Sequence, residues 1–263
     1  MSGVLRRLLD PKRQLHALPH RCLRGPLGTI THVATASPLV ALTFDDGPHP
    51  LWTPRLLELL AAHGAHATFF MLGSSAARYP DVVDAVARAG HAIGNHSWDH
   101  PSFPLISSRD RRAQITRCAA VLGSRGARLL RPPFGQQSAA ARIDAFLLGY
   151  RVVTWSVVAW DWLDRGAAQM TSDLLSQIQA GSIVLLHDAI AYGGISEGSH
   201  EDRADMLTAV SNVLTALATT MRFVTVSELL HRGVAQRRPW LVEPSAVFRE
   251  RLAQRYRPVA GGE

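Results

Sequence analysis

The chain has 263 residues, of which 47% are hydrophobic, 19% are charged and 7% are aromatic. This composition excludes a disordered, fibrous or coiled-coil protein, and the length admits one α/β barrel. The formal net charge is +7, but nearly all the basic residues are arginines spread along the chain without interleaved aromatic residues, which argues against nucleic-acid binding. No apolar run is long enough to cross a membrane and the basic N-terminus lacks the apolar core of a secretory signal, so we expect a cytoplasmic protein.

Short β-branched runs alternate with longer runs of helical periodicity. The predicted strands are 39–45, 67–72, 91–96, 129–134, 151–158, 182–187 and 223–227. The predicted helices are 53–63, 80–89, 109–122, 138–148, 171–179 and 202–219, the first of them starting with Thr53 as cap and Pro54 in the first turn. This alternation predicts an α/β fold with a parallel sheet and right-handed crossovers.

The domain organisation follows from composition. No internal repeat and no linker rich in Pro, Gly or Ser divides residues 39–230. We therefore predict a single domain at 38–232, an N-terminal extension at 1–37 without clear periodicity, and a C-terminal extension at 233–263 with a short amphipathic stretch at 244–256. The isolated Cys22 and Cys118 predict neither a disulfide scaffold nor a thiolate zinc site.

Polar residues recur at the C-terminal ends of the predicted strands, and in an α/β barrel this edge holds the active site. The first are Asp45 and Asp46 in the segment TFDDGPHP. Two neighbouring buried carboxylates repel each other and need a cation. Adjacent side chains point to different sides of a strand, so one carboxylate can bind a metal while the other faces the bound water. Taken alone, the motif is equally compatible with a surface turn.

A histidine pair follows in the segment GNHSWDHP. His96 and His100 are four residues apart, close enough on one helical turn to bind one ion, although a chain with 12 histidines can contain such a pair by chance. With one carboxylate, the pair gives three protein ligands and leaves a position for water, a set suited to Zn²⁺ or a similar divalent ion. The same set describes non-haem Fe(II) oxygenases, an interpretation that leaves Asp45 and His187 without a role.

Five ordered segments resemble the motifs of the polysaccharide deacetylases, a family that includes chitooligosaccharide, chitin, xylan and peptidoglycan deacetylases. They are TFDDGPHP, HSWDHP, RPPFG at 131–135, WSVVAWDW at 155–162 and IVLLHD at 183–188. The resemblance implies a distorted (β/α)7 barrel with parallel strands and metal-dependent hydrolysis of an N-acetyl group on an amino sugar. The same groups could instead act on another amide, such as an N-formyl sugar, a ureide or a cyclic imide, or on an O-acetyl ester.

The resemblance also implies residue roles. Asp46, His96 and His100 would bind one divalent ion, Zn²⁺ or alternatively Co²⁺ or another ion, with Asp45 as general base and His187 as general acid. A bound ion lowers the pKa of water, and an imidazolium that titrates near neutrality is suited to protonate the leaving amine. An inactive sugar-binding module should have lost at least one of these five residues, and all five are present.

Two further residues are implied to support the catalytic pair. Arg131 would keep Asp45 ionised, and Asp161 would keep an imidazole such as His187 protonated, although the sequence leaves open which group Asp161 contacts. The alternative for each of them is membership of a buried Arg–Asp pair that braces two strands.

The resemblance places the substrate-binding wall at three positions. A backbone N–H near Phe134 would stabilise the oxyanion, although the family's tyrosine is phenylalanine here, and Trp162 and Leu185 would hold the acetyl methyl group. Core packing is the alternative role for Trp162 and Leu185. Trp160 stands where relatives often carry an acidic or small residue.

The substrate class is predicted from the ends of the chain and from one loop. The missing signal and anchor favour a small soluble or lipid-linked saccharide over assembled wall polymer. The glycine-rich segment 189–201 predicts a mobile loop beside His187.

Overall fold

The computed structural model describes residues 25–163, 165–191 and 202–255. Its strands are β1 (Thr29–Ala34), β2 (Leu39–Asp45), β3 (Thr68–Met71), β4 (Ala92–Asn95), β5 (Gly126–Leu130), β6 (Arg151–Val152), β7 (Val157–Val158), β8 (Ile183–His187), β9 (Arg222–Phe223) and β10 (Val234–Arg238). The predicted mobile loop falls mostly on residues outside these ranges.

Nine helices accompany the strands in the described part of the chain. They are α1 (Trp52–Ala62), α2 (Gly73–Arg78), α3 (Pro80–Arg88), α4 (Ser108–Leu122), α5 (Ala139–Leu147), α6 (Gly166–Gln177), α7 (Ala204–Leu217), α8 (Val226–His231) and α9 (Ala246–Arg255). Short 3-10 turns lie at Phe103–Leu105, Gly123–Arg125 and Pro133–Gly135. None of these helices combines the length and the apolar character that crossing a bilayer requires.

The central sheet is parallel and has the order β6-β5-β4-β3-β2-β8-β7, with β9 added beside β2. β6 and β7 lie at opposite ends of this order, yet only residues 153–156 separate them in the chain. So short a segment spans at most roughly 18 Å, so the two ends of the sheet must approach each other. The sheet therefore curls into a distorted barrel, which confirms the predicted (β/α)7 fold.

The two faces of β2 enter different apolar clusters, since successive side chains alternate between faces. Val40, Leu42 and Phe44 pack in the cluster that contains the helix residues Leu56 and Leu60. Leu39 and Ala41 instead join a second cluster with Ile30 and Val33 of β1. Thr43 and Asp45 continue this second face, so Asp45 lies above the inner cluster at the carboxyl end of β2.

The two predicted extensions are joined to each other and to the barrel. β1 pairs antiparallel with β10, across about two hundred residues of sequence. Ile30 of β1 forms a bridge with Val153 and His32 forms one with Ser182, so this small sheet lies against the barrel. The predicted amphipathic stretch is the helix α9.

Four local predictions are wrong. The predicted strand 129–134 ends at Leu130 and is followed by the 3-10 turn Pro133–Gly135, because Pro132 and Pro133 have no N–H to continue a sheet. The predicted strand 151–158 is broken into β6 and β7 because its middle residues bond elsewhere: the Thr154 N–H donates to the Ile30 carbonyl and the Ser156 N–H to the Ile183 carbonyl. The predicted strand 223–227 ends at Phe223, because the Thr225 side chain caps α8. The helix α1 begins at Trp52, so Thr53 does not cap it.

Candidate active site

The carboxyl ends of the strands meet around one cavity of about 490 Å³, as the sequence predicts. Its ionisable lining residues are Asp45, Asp46, His96, His100 and His187. Asp45 and His187 are register partners on the adjacent strands β2 and β8, and His96 directly follows β4. The barrel thus brings together the five residues to which the sequence assigns catalysis and metal binding.

Asp46, His96 and His100 form a compact buried cluster that fits a metal ion. Their potential ligand atoms lie within 4.8 Å of one another, and Asp46 Oδ1 is 3.3 Å from the Nε2 atom of each histidine. Tetrahedral bonds of about 2.0–2.1 Å to such ligands separate the ligand atoms by about 3.3 Å. Asp46 Oδ1 has no hydrogen-bond partner among the described residues. A buried carboxylate oxygen in this state is suited to bind a cation.

Neighbouring groups orient the ligands of this cluster. The carbonyl of Arg131 lies 2.7 Å from His96 Nδ1 and can only accept, so Nδ1 carries the proton and Nε2 presents its lone pair to the cluster. Asp46 Oδ2 accepts a hydrogen bond from the Ala191 N–H at 3.0 Å. Burial lowers the pKa of His100 to about 3, even though Asp46 acts against it, so this imidazole is neutral and able to bind a metal.

The backbone at the site is strained in the left-handed region, which disfavours residues other than glycine. The φ angle is 74° at Asp46 and Ser97, 65° at His100, and 57° at Phe134 and Trp160. In the segment before His100, Asn95 Oδ1 accepts from the Ser97 N–H and Ser97 Oγ accepts from the His100 N–H. The His-x3-His spacing is therefore held in a tight loop and not in the helical turn that the sequence predicts.

Arg131 lies directly beside Asp45, as predicted. Its Nη1 donates to Asp45 Oδ1 and to Thr43 Oγ1, both at 2.7 Å, and Nη2 donates to the Thr154 carbonyl at 2.9 Å. The guanidinium is fully buried with its Cζ 4.1 Å from the centre of the Phe70 ring. Burial lowers the pKa of Arg131, and Asp45 counteracts this effect. The buried pair therefore fixes the direction of the Asp45 carboxylate.

Asp161 contacts His187, which answers a question that the sequence leaves open. Its Oδ1 lies 2.9 Å from His187 Nδ1, and its Oδ2 accepts from the His187 backbone N–H at 2.8 Å. Burial lowers the pKa of His187, but the negative charge of Asp161 and the hydrogen bond to it, together with the charges of Asp46 and Asp45, raise it to about 9. Arg131 and Asp161 therefore have separate partners, and each also belongs to a buried Arg–Asp pair, Arg131 with Asp45 and Asp161 with Arg203.

The sequence gives no signal for Arg203, which supports Asp161 from the far side. Its guanidinium is fully buried; Nη1 donates to the Asp161 carbonyl at 2.8 Å and lies 3.5 Å from Asp161 Oδ2. Arg203 sits just before α7, more than forty residues from Asp161. Only the packing of α7 against the barrel places these two residues together.

Asp188, to which the sequence assigns no role, supports the turn that follows Asp46. Thr53 Oγ1 donates to Asp188 Oδ2 at 2.5 Å and accepts from the His49 N–H at 2.8 Å. A Cβ at Gly47 would overlap the Asp188 carboxylate, so the turn after Asp46 needs glycine. Burial raises the pKa of Asp188 to about 7 in spite of the hydrogen bond from Thr53.

The remaining cavity wall is apolar and aromatic. It contains the three residues predicted to bind substrate, Phe134, Trp162 and Leu185. The Trp162 ring meets the His187 ring edge to face at 5.2 Å, and the Phe134 ring meets the His100 ring at 4.3 Å. Leu185 is 3% exposed and still lines the cavity, so it is buried among core residues and also forms part of the wall.

The site has a three-ligand cluster at the carboxyl edge of a parallel barrel, with a carboxylate and an imidazole on adjacent strands beside it. This arrangement is typical of a metal-dependent hydrolase. Comparison with known proteins gives the family. The model of the polysaccharide deacetylase family matches residues 32–153.

Related proteins and solved structures point to the same family. A peptidoglycan-N-acetylglucosamine deacetylase of Bacillus cereus is 34% identical over 194 residues, covering 72% of this chain and 67% of that protein. A chitooligosaccharide deacetylase of Sinorhizobium fredii is 31% identical over 195 residues, covering 73% and 91%. The crystal structure of a peptidoglycan N-acetylglucosamine deacetylase with a naphthyl-substituted N-hydroxybenzamide matches with a TM-score of 0.70 at 30% identity, covering 79% of this chain and 94% of that one.

The chain belongs to the polysaccharide deacetylase family. The predicted family, the barrel fold and the enzyme class, a sugar deacetylase, are therefore confirmed. The individual residue roles, the identity of the ion, the domain boundaries and the cytoplasmic location stay predictions.

Proposed function

We propose that this protein removes the N-acetyl group from an amino sugar in a small acetylated glycoside, with one Zn²⁺ ion held by Asp46, His96 and His100. The observation that carries this proposal is the spacing of the three ligand atoms within 4.8 Å, next to the pair Asp45 and His187 on adjacent strands. When bound, the ion supplies Lewis acidity, which lowers the pKa of water and polarises the amide carbonyl.

Asp45 acts as the general base. Its Oδ1 is held by Arg131, while Oδ2 lies 3.8 Å from His96 Nε2, on the side of the ligand cluster. Oδ2 is thus the atom that takes a proton from the attacking water. The buried guanidinium compensates the negative charge of Asp45 before the reaction and prevents the carboxylate from turning away.

His187 acts as the general acid. Because Nδ1 is bonded to Asp161, the opposite ring nitrogen Nε2 is the atom left to face the cavity. The raised pKa of His187 keeps this nitrogen protonated at neutral pH, so it can donate a proton to the leaving amine when the C–N bond breaks. The edge-to-face contact with Trp162 limits rotation of the ring.

The turn Pro133–Gly135 supplies the oxyanion donor in this proposal. Pro132 and Pro133 stiffen the approach, and Phe134 adopts a φ of 57° at the cavity wall. A main-chain N–H in a stiff turn costs no reorganisation when the tetrahedral oxyanion develops. The loss of the family's tyrosine hydroxyl leaves this main-chain role intact.

A metal-dependent screen for released acetate tests the proposal. The chelated protein is supplied with Zn²⁺ or Co²⁺ and given N-acetylglucosamine glycosides, chitooligosaccharides, O-acetylated sugars, N-formyl sugars, ureides and cyclic imides. We expect acetate from the N-acetyl glycosides only in the presence of metal. Release from an ester, formyl sugar, ureide or imide with none from the N-acetyl glycosides would replace the proposed substrate class, and unchanged turnover after chelation would refute the metal site.

A further inference from the structure

The C-terminal segment 239–248 forms one side of the active-site mouth. Ser245, Val247 and Phe248 line the same cavity as the metal-binding cluster. This segment lies beyond both the family match at 32–153 and the last of the five motifs, which ends at residue 188. The C-terminal segment therefore contributes to the cavity wall in addition to the five motifs.

Three contacts attach the segment to the loop that carries Phe134. Trp240 Nε1 donates to the Gly135 carbonyl at 3.1 Å. Gln137 and Val242 exchange two backbone hydrogen bonds, at 3.0 and 3.1 Å. The Phe248 ring meets the Phe134 ring edge to face at 4.9 Å. These contacts fix Phe248 next to the ring that covers the metal ligand His100.

The chemistry of the cavity wall indicates what this surface binds. Apart from the five catalytic and metal-binding residues and the indole N–H groups of three tryptophans, Ser245 is the only polar side chain among the described residues that line the cavity. Of the apolar residues that line the cavity, Trp160 is 44% exposed and Val247 is 58% exposed. Neighbouring sugars of a polysaccharide need hydrogen-bonding partners for their hydroxyl groups, whereas this surface offers apolar contact.

We propose that Phe248 and Val247 bind an apolar aglycone attached to the acetylated amino sugar, so that the enzyme prefers such glycosides to unsubstituted sugars and to chitooligosaccharides. This inference rests on the proposed deacetylase function and adds the substrate class to it. Phe248 is the specificity-determining residue, because it contacts Phe134 beside the reacting group. Burial of a side chain of this size against an aglycone corresponds to a preference of about tenfold or more.

The test compares the methyl, phenyl and octyl β-glycosides of N-acetylglucosamine with tri-N-acetylchitotriose. We expect kcat/KM for acetate release to be about tenfold higher for the phenyl or octyl glycoside than for the methyl glycoside and the trisaccharide. Phe248→Ala should lower this ratio about tenfold, and Phe248→Leu should keep most of it. Val247→Ser, at a position that is 58% exposed, should lower the ratio in the same direction. Phe146→Ala, at a phenylalanine of α5 that is 51% exposed, is the matched control and should leave the ratio unchanged.

Calorimetric binding of the same glycosides separates this inference from the proposed function. If no glycoside releases acetate but the octyl or phenyl glycoside binds tightly and Phe248→Ala abolishes this binding, the aglycone site stands and the proposed reaction fails. If acetate is released with equal kcat/KM from the methyl and octyl glycosides, or fastest from the trisaccharide, the aglycone site is refuted and the deacetylase stands. An unchanged ratio in both Phe248→Ala and Val247→Ser also refutes it.

Discussion

Asp161 holds both the ring and the main chain of His187. Oδ1 of its carboxylate lies 2.9 Å from His187 Nδ1, and Oδ2 accepts from the His187 N–H at 2.8 Å. One carboxylate thus sets the orientation of the imidazole and stabilises its protonated form. The buried Asp161 carboxylate has a second charged partner besides the histidine, because the Arg203 guanidinium lies 3.5 Å from Oδ2.

The first prediction concerns the pH dependence of activity. Asp161→Asn removes the charge that stabilises the imidazolium, so the pKa of His187 should fall by about 1–3 units and the alkaline limb of kcat/KM should move to lower pH. The measurement is the pH profile of the metal-loaded enzyme. Asp173→Asn, which removes the partly exposed partner of Arg165, should leave the limb in place. An unmoved limb in Asp161→Asn would show that another group sets the protonation of the acid.

The second prediction concerns metal binding. His100→Ala removes one of three ligands, so the purified protein should lose bound Zn²⁺ after dialysis, together with most of its activity. Metal content is measured by elemental mass spectrometry. The exposed His63 at the end of α1 provides the control, since His63→Ala should retain the ion. A stoichiometric ion in His100→Ala would remove this histidine from the ligand set.

The third prediction separates the two neighbouring aspartates. Asp45→Asn should retain the ion but lose kcat by about 10²–10⁴-fold, because only the proton acceptor is lost. Asp46→Asn should release the ion, because the carboxylate that lies between the two histidines is lost. Metal content and kcat are measured on the same preparations. The opposite pattern, with an empty site in Asp45→Asn, would mean that the roles of Asp45 and Asp46 are exchanged.

The fourth prediction concerns stability in the absence of metal. The pKa of Asp188 is raised from 3.8 to about 7, so the folded state holds the proton more tightly than the unfolded chain. Asp188 therefore contributes a decline in stability as the pH rises from about 4 to about 7, and this loss persists above that range. Asp188→Asn keeps an acceptor for Thr53 and removes the charge, so this contribution to the decline should disappear.

Thermal unfolding of the chelated protein measures this effect. At pH 8 the variant should unfold at a higher temperature than the parent, by roughly 2–4 °C for each 1 kcal/mol gained. The difference between the two proteins should vanish near pH 4. Asp84→Asn, at a partly exposed aspartate paired with Arg125, should not remove the decline. A parent protein more stable than Asp188→Asn at pH 8 would contradict the prediction.

The sequence by itself was enough to predict the family, the barrel and most of its helices and strands. The buried run of β2 ending in two carboxylates, the His96–His100 spacing and the five ordered motifs are local features, and each is visible within a few residues of the chain. They were sufficient to predict the parallel barrel, the residues around its mouth and the family. The placement of Arg131 beside Asp45 also followed from the resemblance, because the motifs fix which strand ends face each other.

Only the tertiary structure decided the partner of Asp161, the support from Arg203 and the presence of Phe248 at the cavity. The physical reason is that these contacts join residues far apart in the chain, and local periodicity carries no information about which distant segments meet. The break between β6 and β7 is an example: residues 153–156 are β-branched and apolar enough to continue a strand, but closure of the barrel directs their hydrogen bonds to Ile30 and Ile183. The C-terminal segment reaches the mouth for a similar reason, because β10 must pair with β1 before the chain can return to the loop at Phe134.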